Sequence, residues 1–537
     1  MIVVLLAGCP RPSPSTPEPR PDAPVAGEPV LEIDAPARGT FVEDGSVLVR
    51  GRVRDEGPVR ITINGAQAAV GSDGSFTATV QLPRGLAILE THALDADHHD
   101  VRDVRAVLAG PFAPSDGSIA APIGARVGRT GVAALGRALG VSAKAIDFKQ
   151  AAAALNPIYE DPGCLGARVD IANVTVGAIE VALVPTTNAL ELAVRVDNIE
   201  VKLDVHYRAA CIGGSTSMTV RTRARVTSEL RVTAGGGRIR TAFPEPDVTL
   251  DDFQIQLAGL PGVVESMLKR VTRPAVEIAL AQLISSKLPP LVDAQLSALL
   301  TRPALPQVLG REVDVIATPS WIELAPTGIA MVADVKLAVR GGAAGRYATT
   351  RSMVPVPAGE AAVWVSANSV NQLFAGLWAS RAFDRTLPRD QLGPLAMLLD
   401  ERIATLELAI ALPPTIHAEA ALQLVVGDLL ITARDAAGAE VQRFAVSLRT
   451  GLVIKHGQAL GTTEPQVFAQ LLAQHGPLAR PLDPAGVEAI VKGAWSLTAT
   501  SIDDALAQIP IPGAAKGAQL ESLGAREGAI VLQLKMN

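Results

Sequence analysis

The feature that most constrains this chain is a set of alternating apolar runs longer than ordinary strands. Leu190, Leu192, Val194 and Val196 share one face; after Asp197-Asn198 the phase flips, and Ile199, Val201, Leu203 and Val205 carry the pattern on. A one-residue slip in a strand moves its whole apolar set to the other side of the sheet. A β-bulge at Asp197-Asn198 restores the face and bends the strand. The run before it, about 168–184, and the run after it, about 218–232, alternate in the same way, joined first by Pro185-Thr-Thr-Asn188. A usual strand has about 5–6 residues, so these segments are expected to build a strongly curved antiparallel sheet.

Helical spacing appears beside the long runs. Residues 143–157 place Ala and Leu at helical intervals until Asn156-Pro157. From Leu260 to Leu300 an apolar stripe passes through Val264, Met267, Leu268, Val271, Ala275, Ile278, Ala279 and Leu283. Pro274 is expected to kink this helix and Pro289-Pro290 to break it. The same grammar then recurs. Ile329, Met331, Ala333, Val335, Leu337 and Val339 alternate, Val363-Trp-Val leads into a helix carrying Val370, Leu373, Phe374 and Leu377, and alternation returns at Ile416–Val426 and at Phe444, Val446 and Leu448. Further helices are expected at about 464–474 and 484–497, before a closing strand with Ile530, Leu532, Leu534 and Met536.

Two cysteines sit where the first hairpin opens. A turn at 186–187 brings Cys164 and Cys211 to its open end, about one pair out of register. In an exported protein that placement reads as a disulfide closing a loop of about 46 residues, with two free buried thiols as the other reading. The third cysteine points to export. Leu6-Ala7-Gly8-Cys9 has the small-residue-then-Cys pattern of a bacterial lipobox, whose cysteine is acylated, so residues 1–9 read as a lipoprotein signal. No Lys or Arg precedes Cys9, which puts the expected start of translation upstream of Met1. Pro10 in place of Asp after the cysteine favours the outer membrane over the inner one. Residues 10–29 are rich in Pro with no apolar periodicity and read as a semi-extended tether. The expected location is therefore the bacterial cell envelope, with the chain lipid-anchored and facing the periplasm or the surface.

Between tether and long strands, residues 30–109 carry short alternating segments: Val47-Leu-Val-Arg-Gly-Arg-Val53, Val59-Arg-Ile-Thr-Ile63, Ser75-Phe-Thr-Ala-Thr-Val80 and Leu86-Ala-Ile-Leu89. Asn64-Gly65 and Asp73-Gly74 are hairpin dipeptides, and the spacing suggests a β-sandwich. Ala35-Pro-Ala-Arg-Gly-Thr, Gly51-Arg-Val, Ile63-Asn-Gly, Asp73-Gly-Ser-Phe and His92-Ala-Leu-Asp95-Ala resemble bacterial immunoglobulin-like modules of the glucodextranase B-domain type, which implies a spacer or accessory module.

Composition excludes several functions. The 537 residues carry 48 Lys+Arg against 54 Asp+Glu, a net charge of −6, and only 3% aromatics. Neither a basic surface nor stacking platforms for nucleic acid follow from that balance. No unbroken run of about 18 apolar residues is present. No G-x-S-x-G, P-loop, H-E-x-x-H or C-x-x-C motif occurs, the seven His are scattered, and no enzyme activity or cofactor is expected. Asp95-Ala-Asp97-His98-His99-Asp100 has metal-ligand residue types, but neighbours on a strand point to opposite faces, so a polar hairpin tip is the plainer reading and no metal is expected. Arg221, Arg223, Arg225 and Arg231 form a row opposite Met218, Val220, Ala224, Val226, Leu230 and Val232. The row fits either a solvated face or contact with anionic headgroups.

The stretch Val365-Ser-Ala-Asn-Ser-Val-Asn371-Gln-Leu-Phe-Ala-Gly-Leu-Trp378 resembles the strand followed by an N-x-L helix of the bactericidal/permeability-increasing and lipopolysaccharide-binding protein family. Leu412-Pro-Pro414 and Ile502-Asp-Asp-Ala-Leu-Ala-Gln-Ile-Pro-Ile-Pro512 are similar to that family's C-terminal half, whereas the Cys164/Cys211 placement departs from its disulfide. The resemblance, over roughly 115–537, implies an α+β fold: the small β-sandwich, then two pseudo-repeated, highly curved antiparallel sheets each wrapped on a long helix, over 110–300 and 301–537. It implies a tubular lipid-binding protein holding phospholipid or lipopolysaccharide in apolar tunnels, for lipid transfer or sensing. The expected lining is Leu192, Val194 and Val220 from strands and Val264, Met267, Leu268 and Val271 from the helix, residues that a packed core explains equally. The alternative, from another class, is a surface scaffold or adhesion protein that binds polysaccharide or an envelope protein.

Overall fold

The computed structural model describes residues 27–43, 45–244, 246–257, 262–300, 307–341, 345–350, 359, 361–455, 459–507 and 518–536. The lipobox with Cys9, most of the tether and the Pro510–Pro512 segment lie outside them. The described chain is mostly β-structure, with a few helices and several curled sheets that stay open.

The N-terminal module pairs a three-stranded sheet (Val30–Ala35, Ser46–Arg54, Ser75–Gln81) with a five-stranded one (Thr40–Val42, Asp100–Ala109, Gly85–Leu94, Arg60–Ile63, Ala66–Ala68). Their inner residues, including Val49, Ile61, Ile63, Phe76, Leu89 and Val107, make one core. Asn64 and Gly65 both take positive φ, at 49° and 81°, as a two-residue hairpin turn requires.

A six-stranded antiparallel sheet lies at the centre. Its order is Val313–Ala325, Gly328–Val339, Ser118–Gly128, Ala361–Ser366, Ala529–Met536 and Ala518–Arg526, so strands far apart in sequence share one sheet. Trp364 lies over Gly124, where a Cβ would fall 2.0 Å from the indole.

A seven-stranded sheet forms the first lobe. Its path runs Tyr159–Glu160, Ala167–Thr175, Ala189–Ala209, Ile212–Gly235, Arg238–Ala242, with Ile179–Thr186 beside the third of these and Asp247–Leu257 beside the fourth. The phase flip is realised as read: the register shifts between Val196 and Ile199, and Asn198 takes a φ of 51°. The run at 168–184 is two strands stacked end to end along Ala189–Ala209. Their hairpin turns at Thr187-Asn188, one residue later than expected. That delay brings the cysteines into register, and Cys164 is bonded to Cys211 with Cα atoms 4.2 Å apart.

Three helix assignments need correction. The segment 143–157 is the end of one helix, Arg129–Ala143, followed by a short one, Phe148–Ala153. The longer helix escapes an apolar-period search because Gly136 and Gly140 lie against the strand Ile179–Thr186, where a Cβ on Gly136 would fall 2.8 Å from Val181 O. The segment 464–474 is a strand, Gln466–Gln474. Val467 and Ala469 face the lobe's own helix while Phe468 faces the sandwich, and apolar residues on both faces imitate helical spacing. Finally, Gly262–Leu300 is a single helix with Pro274, Pro289 and Pro290 inside it. Leu268, Ala275, Val276, Ala279, Leu283, Leu288, Val292 and Leu296 are buried along it, so the packed stripe passes through the prolines. Tertiary packing of an apolar face supports a helix that local propensity would interrupt. With the break gone, Glu265–Ser297 is long and apolar enough by length and composition to cross a membrane, with a third of that stretch buried inside the fold.

The second lobe is another seven-stranded sheet. Its path runs Arg385–Pro388, Thr405–Ile410, Leu422–Arg434, Glu440–Lys455, Ala459–Thr462, with Thr415–Ala418 beside the third and Gln466–Gln474 beside the fourth. The helix Pro484–Ala507 follows. Ala367–Ala379 is the helix read after Val363-Trp-Val, and Asn371 pins it to the lobe by accepting from Ile416 N–H at 2.7 Å and donating to Ile416 O at 3.2 Å.

Candidate functional site: the aliphatic interior of the first lobe

The inner face of the first-lobe sheet and the buried stripe of the helix Gly262–Leu300 meet in one apolar cluster. Leu192, Val194, Val220 and Leu268 are buried within it, and Met267 packs on its rim. Val271 is half-buried on the same helix, and the Val264 side chain lies outside the described residues. Leu203, Val205, Val226, Leu230, Val276, Leu288, Val292 and Leu296 belong to the same cluster although the sequence reading did not single them out. The strand members carried the same alternation as their neighbours. The helix members after 287 were hidden by the expected break at the proline pair.

The interior is chemically uniform. Among the described residues of this lobe, Thr222 and Thr272 are the buried polar side chains. Each spends its hydroxyl on a carbonyl, Thr222 on Asp251 O at 2.9 Å and Thr272 on Leu268 O at 2.6 Å. A polar group satisfied in this way offers nothing to a reacting substrate. Such an interior can hold alkyl groups and exclude water; it carries no acid, base or nucleophile.

Outside, three of the four arginines in the row pair with acids on neighbouring strands. Arg225 chelates Asp251 at 2.8 and 3.0 Å, Arg221 meets Glu200 at 2.9 Å, and Arg223 meets Asp252. Hydrogen bonding from Arg225 holds the Asp251 carboxyl below its ordinary value. These are solvated pairs, screened by water and salt, and they add little to stability.

No group of His, Cys, Asp and Glu with metal-binding geometry occurs among the described residues. In the segment 95–100, Asp95 accepts from the His99 backbone N–H at 2.8 Å and sits 2.7 Å from its Nδ1, which closes the hairpin tip. One hydroxyl–imidazole pair does exist: Thr415 Oγ1 lies 3.2 Å from His417 Nε2. It lies beneath the sandwich, where Leu86 N–H donates to Thr415 Oγ1 at 3.1 Å and a Cβ on Gly85 would fall 2.9 Å from the His417 ring. Burial pushes the His417 pKa down.

Comparison with known proteins gives two likenesses. A family profile described as "Glucodextranase, domain B" matches residues 29–110. No curated protein matches the chain in sequence. Among solved structures it is similar to a lipopolysaccharide binding protein, at 13% identity and a TM-score of 0.41, over 78% of this chain and 100% of that one. It is also similar to latherin (15% identity, TM-score 0.21, 34% of this chain and 89% of that one) and to P47 from Clostridium botulinum A2 (9% identity, TM-score 0.22, 77% and 96%). The profile match falls on the segment read from the sequence as a module of the glucodextranase B-domain type.

Proposed function

We propose that this protein binds lipid, with acyl chains held between the curved sheet and the long helix of each lobe. The observation that carries the reading is the first-lobe interior, where the inner face of the curved sheet and the apolar stripe of the long helix make one cluster whose buried members are all aliphatic. Burial at about 25 cal/mol per Å² binds a lipid tail without any covalent chemistry.

The strand order supports reading the body as two copies of one unit. Each copy would run from a central strand and its helix, through a seven-stranded sheet with two side-paired strands, to a long helix and a returning hairpin. On that reading the units are 118–339 and 361–536, and the division falls after the hairpin Val313–Val339 rather than at 300. Acylation of Cys9 would hold the chain on a bacterial envelope membrane, and the tether would set the distance of the body from it.

Native lipid extraction tests the proposal. The purified protein is extracted with organic solvent, the extract analysed by mass spectrometry, and the delipidated protein titrated with a fluorescent phospholipid. Stoichiometric lipid and saturable uptake are expected. An empty extract with no uptake would leave the scaffold reading, which the apolar docking of the sandwich on the second lobe would then favour.

A further inference from the structure

The sandwich is seated on the second lobe, and a cleft of about 450 Å³ opens along their junction. Leu86, Ile88, Val104, Ala106 and Leu108 of the sandwich share a core with Leu412 and Val425 of the lobe. Arg102 reaches Glu488 on the helix Pro484–Ala507 at 2.5 Å. These contacts fix the walls of the cleft. Glu90 enters from the sandwich strand, Arg449 from the middle of Glu440–Lys455, Glu464 from just before the strand Gln466–Gln474, Gln466 from its first position, and Lys492 from the helix; Phe468 makes the apolar side.

The charges in this cleft are unspent. Arg449 is half-buried, yet its guanidinium has no hydrogen bond or ion pair among the described residues, and neither does the Lys492 ammonium or the Glu464 carboxylate. Glu90 has only His92 Nε2, at 3.9 Å. By contrast, Arg221, Arg225 and Arg340 on the other sheets each find an acid across a neighbouring strand. Here two cations and two carboxylates line one cavity and stay beyond salt-bridge reach of one another. Clefts at domain junctions with a few convergent polar groups are where small ligands bind, and a guanidinium matches the geometry of a phosphate or carboxylate.

We propose that the cleft between the sandwich and the second lobe binds a small zwitterion of the phosphoethanolamine type. Its phosphate sits on Arg449 and Lys492, and its ammonium sits between Glu90 and Glu464. This site is polar, open to water and separate from the aliphatic interiors, so it stands or falls independently of lipid uptake there. The same chemistry occurs as a free molecule and as a phospholipid headgroup.

Calorimetric titration of the delipidated full chain with phosphoethanolamine, inorganic phosphate and ethanolamine tests the site. Phosphoethanolamine is expected to bind one to one and more tightly than either half alone. Arg449→Gln and Lys492→Gln should each weaken it by about tenfold or more, as for a lost charged hydrogen bond. Glu464→Gln should erase the preference over inorganic phosphate. Flotation with phosphatidylethanolamine vesicles, compared with phosphatidylcholine ones, separates the sources: retention that depends on Arg449 assigns the headgroup, and binding of the soluble molecule alone assigns the free zwitterion. No heat up to about 10 mM ligand with folded protein, or titrations unchanged in both cation variants, overturns the site.

Discussion

Single residues hold the domain junction together, and Asp428 is the strictest of them. It is fully buried at the bulge of Leu422–Arg434 with a φ of 45°. Its carboxylate takes Arg38 Nη1 at 2.8 Å and Ala106 N–H at 3.2 Å, both from the sandwich. Burial raises its pKa against the pull of Arg38, so the charge is held at a cost and the shape and acceptor matter more. Asp428→Ala should destabilise the second lobe by about 3–5 kcal/mol in urea unfolding, the range for breaking a buried pair. Asp428→Asn should lose less than half of that, because Asn tolerates the left-handed backbone and still accepts from Ala106. His417 sets a pH dependence. Its folded pKa lies below the ordinary 6.5 because it is buried. On acidification the unfolded imidazole therefore takes a proton first, and stability falls from about pH 6.5 down to the folded value. Thermal unfolding at about pH 7.5 and 5.5 should show a smaller drop for His417→Gln than for the native chain. The sequence revealed Asp197-Asn198, whose effect is local, because the phase of its own strand records it. It could not reveal Asp428, whose partner lies 390 positions away.

At the scale of elements, legibility followed the number of faces a segment buries. Strands of the first lobe present one face to the core and one to water, so their alternation was plain from Leu190 to Val205. The strand Gln466–Gln474 is covered on both sides, and the helix Arg129–Ala143 meets its neighbour through glycines; both escaped the periodic signal for those reasons. The continuous helix through Pro289-Pro290 shows packing overriding local propensity. The open end of the long hairpin is the element most in need of support. Ala210 and Cys211 both occupy the left-handed region, at φ of 53° and 67°, without being glycine. Each such residue costs about 1–2 kcal/mol, and Ile212 beside them is exposed. The Cys164–Cys211 bond, spanning 47 positions, offsets that cost by restricting the unfolded chain. Replacing both cysteines with serine should lower first-lobe stability by about 3–4 kcal/mol. Hydrogen exchange should rise first between residues 205 and 216 and leave the hairpin turn at Thr187-Asn188 protected.

On the scale of the whole molecule, the N-terminal module, read as a spacer or accessory module, is seated on the second lobe. It shares an apolar core with the second lobe and, among the described residues, none with the first. The signal for this lay in the strand Gly85–Leu94, where Leu86 and Ile88 are as apolar as Ala87 and Leu89. A sandwich strand with one solvated face alternates; one that is apolar on both faces is covered on both. Ala87 and Leu89 fill the sandwich's own core, and Leu86 and Ile88 reach the lobe. The module then ties the sheet and helix of the second lobe together, because the Glu488 carboxylate that Arg102 grips also accepts from Ala469 N–H at 3.0 Å. Leu86→Asp tests this directly. The new carboxylate would press against Leu412 and Val425 while leaving the sandwich core intact. Amide exchange should accelerate by about tenfold or more in Leu422–Arg434, Gln466–Gln474 and the first turns of Pro484–Ala507. It should not change in Ala189–Ala209 or Ile212–Gly235, since among the described residues those strands share no apolar core with the module. Unaltered exchange in the second lobe would make the module a passenger on its tether, and acceleration in both lobes alike would mean that the central sheet, rather than the sandwich, couples the two.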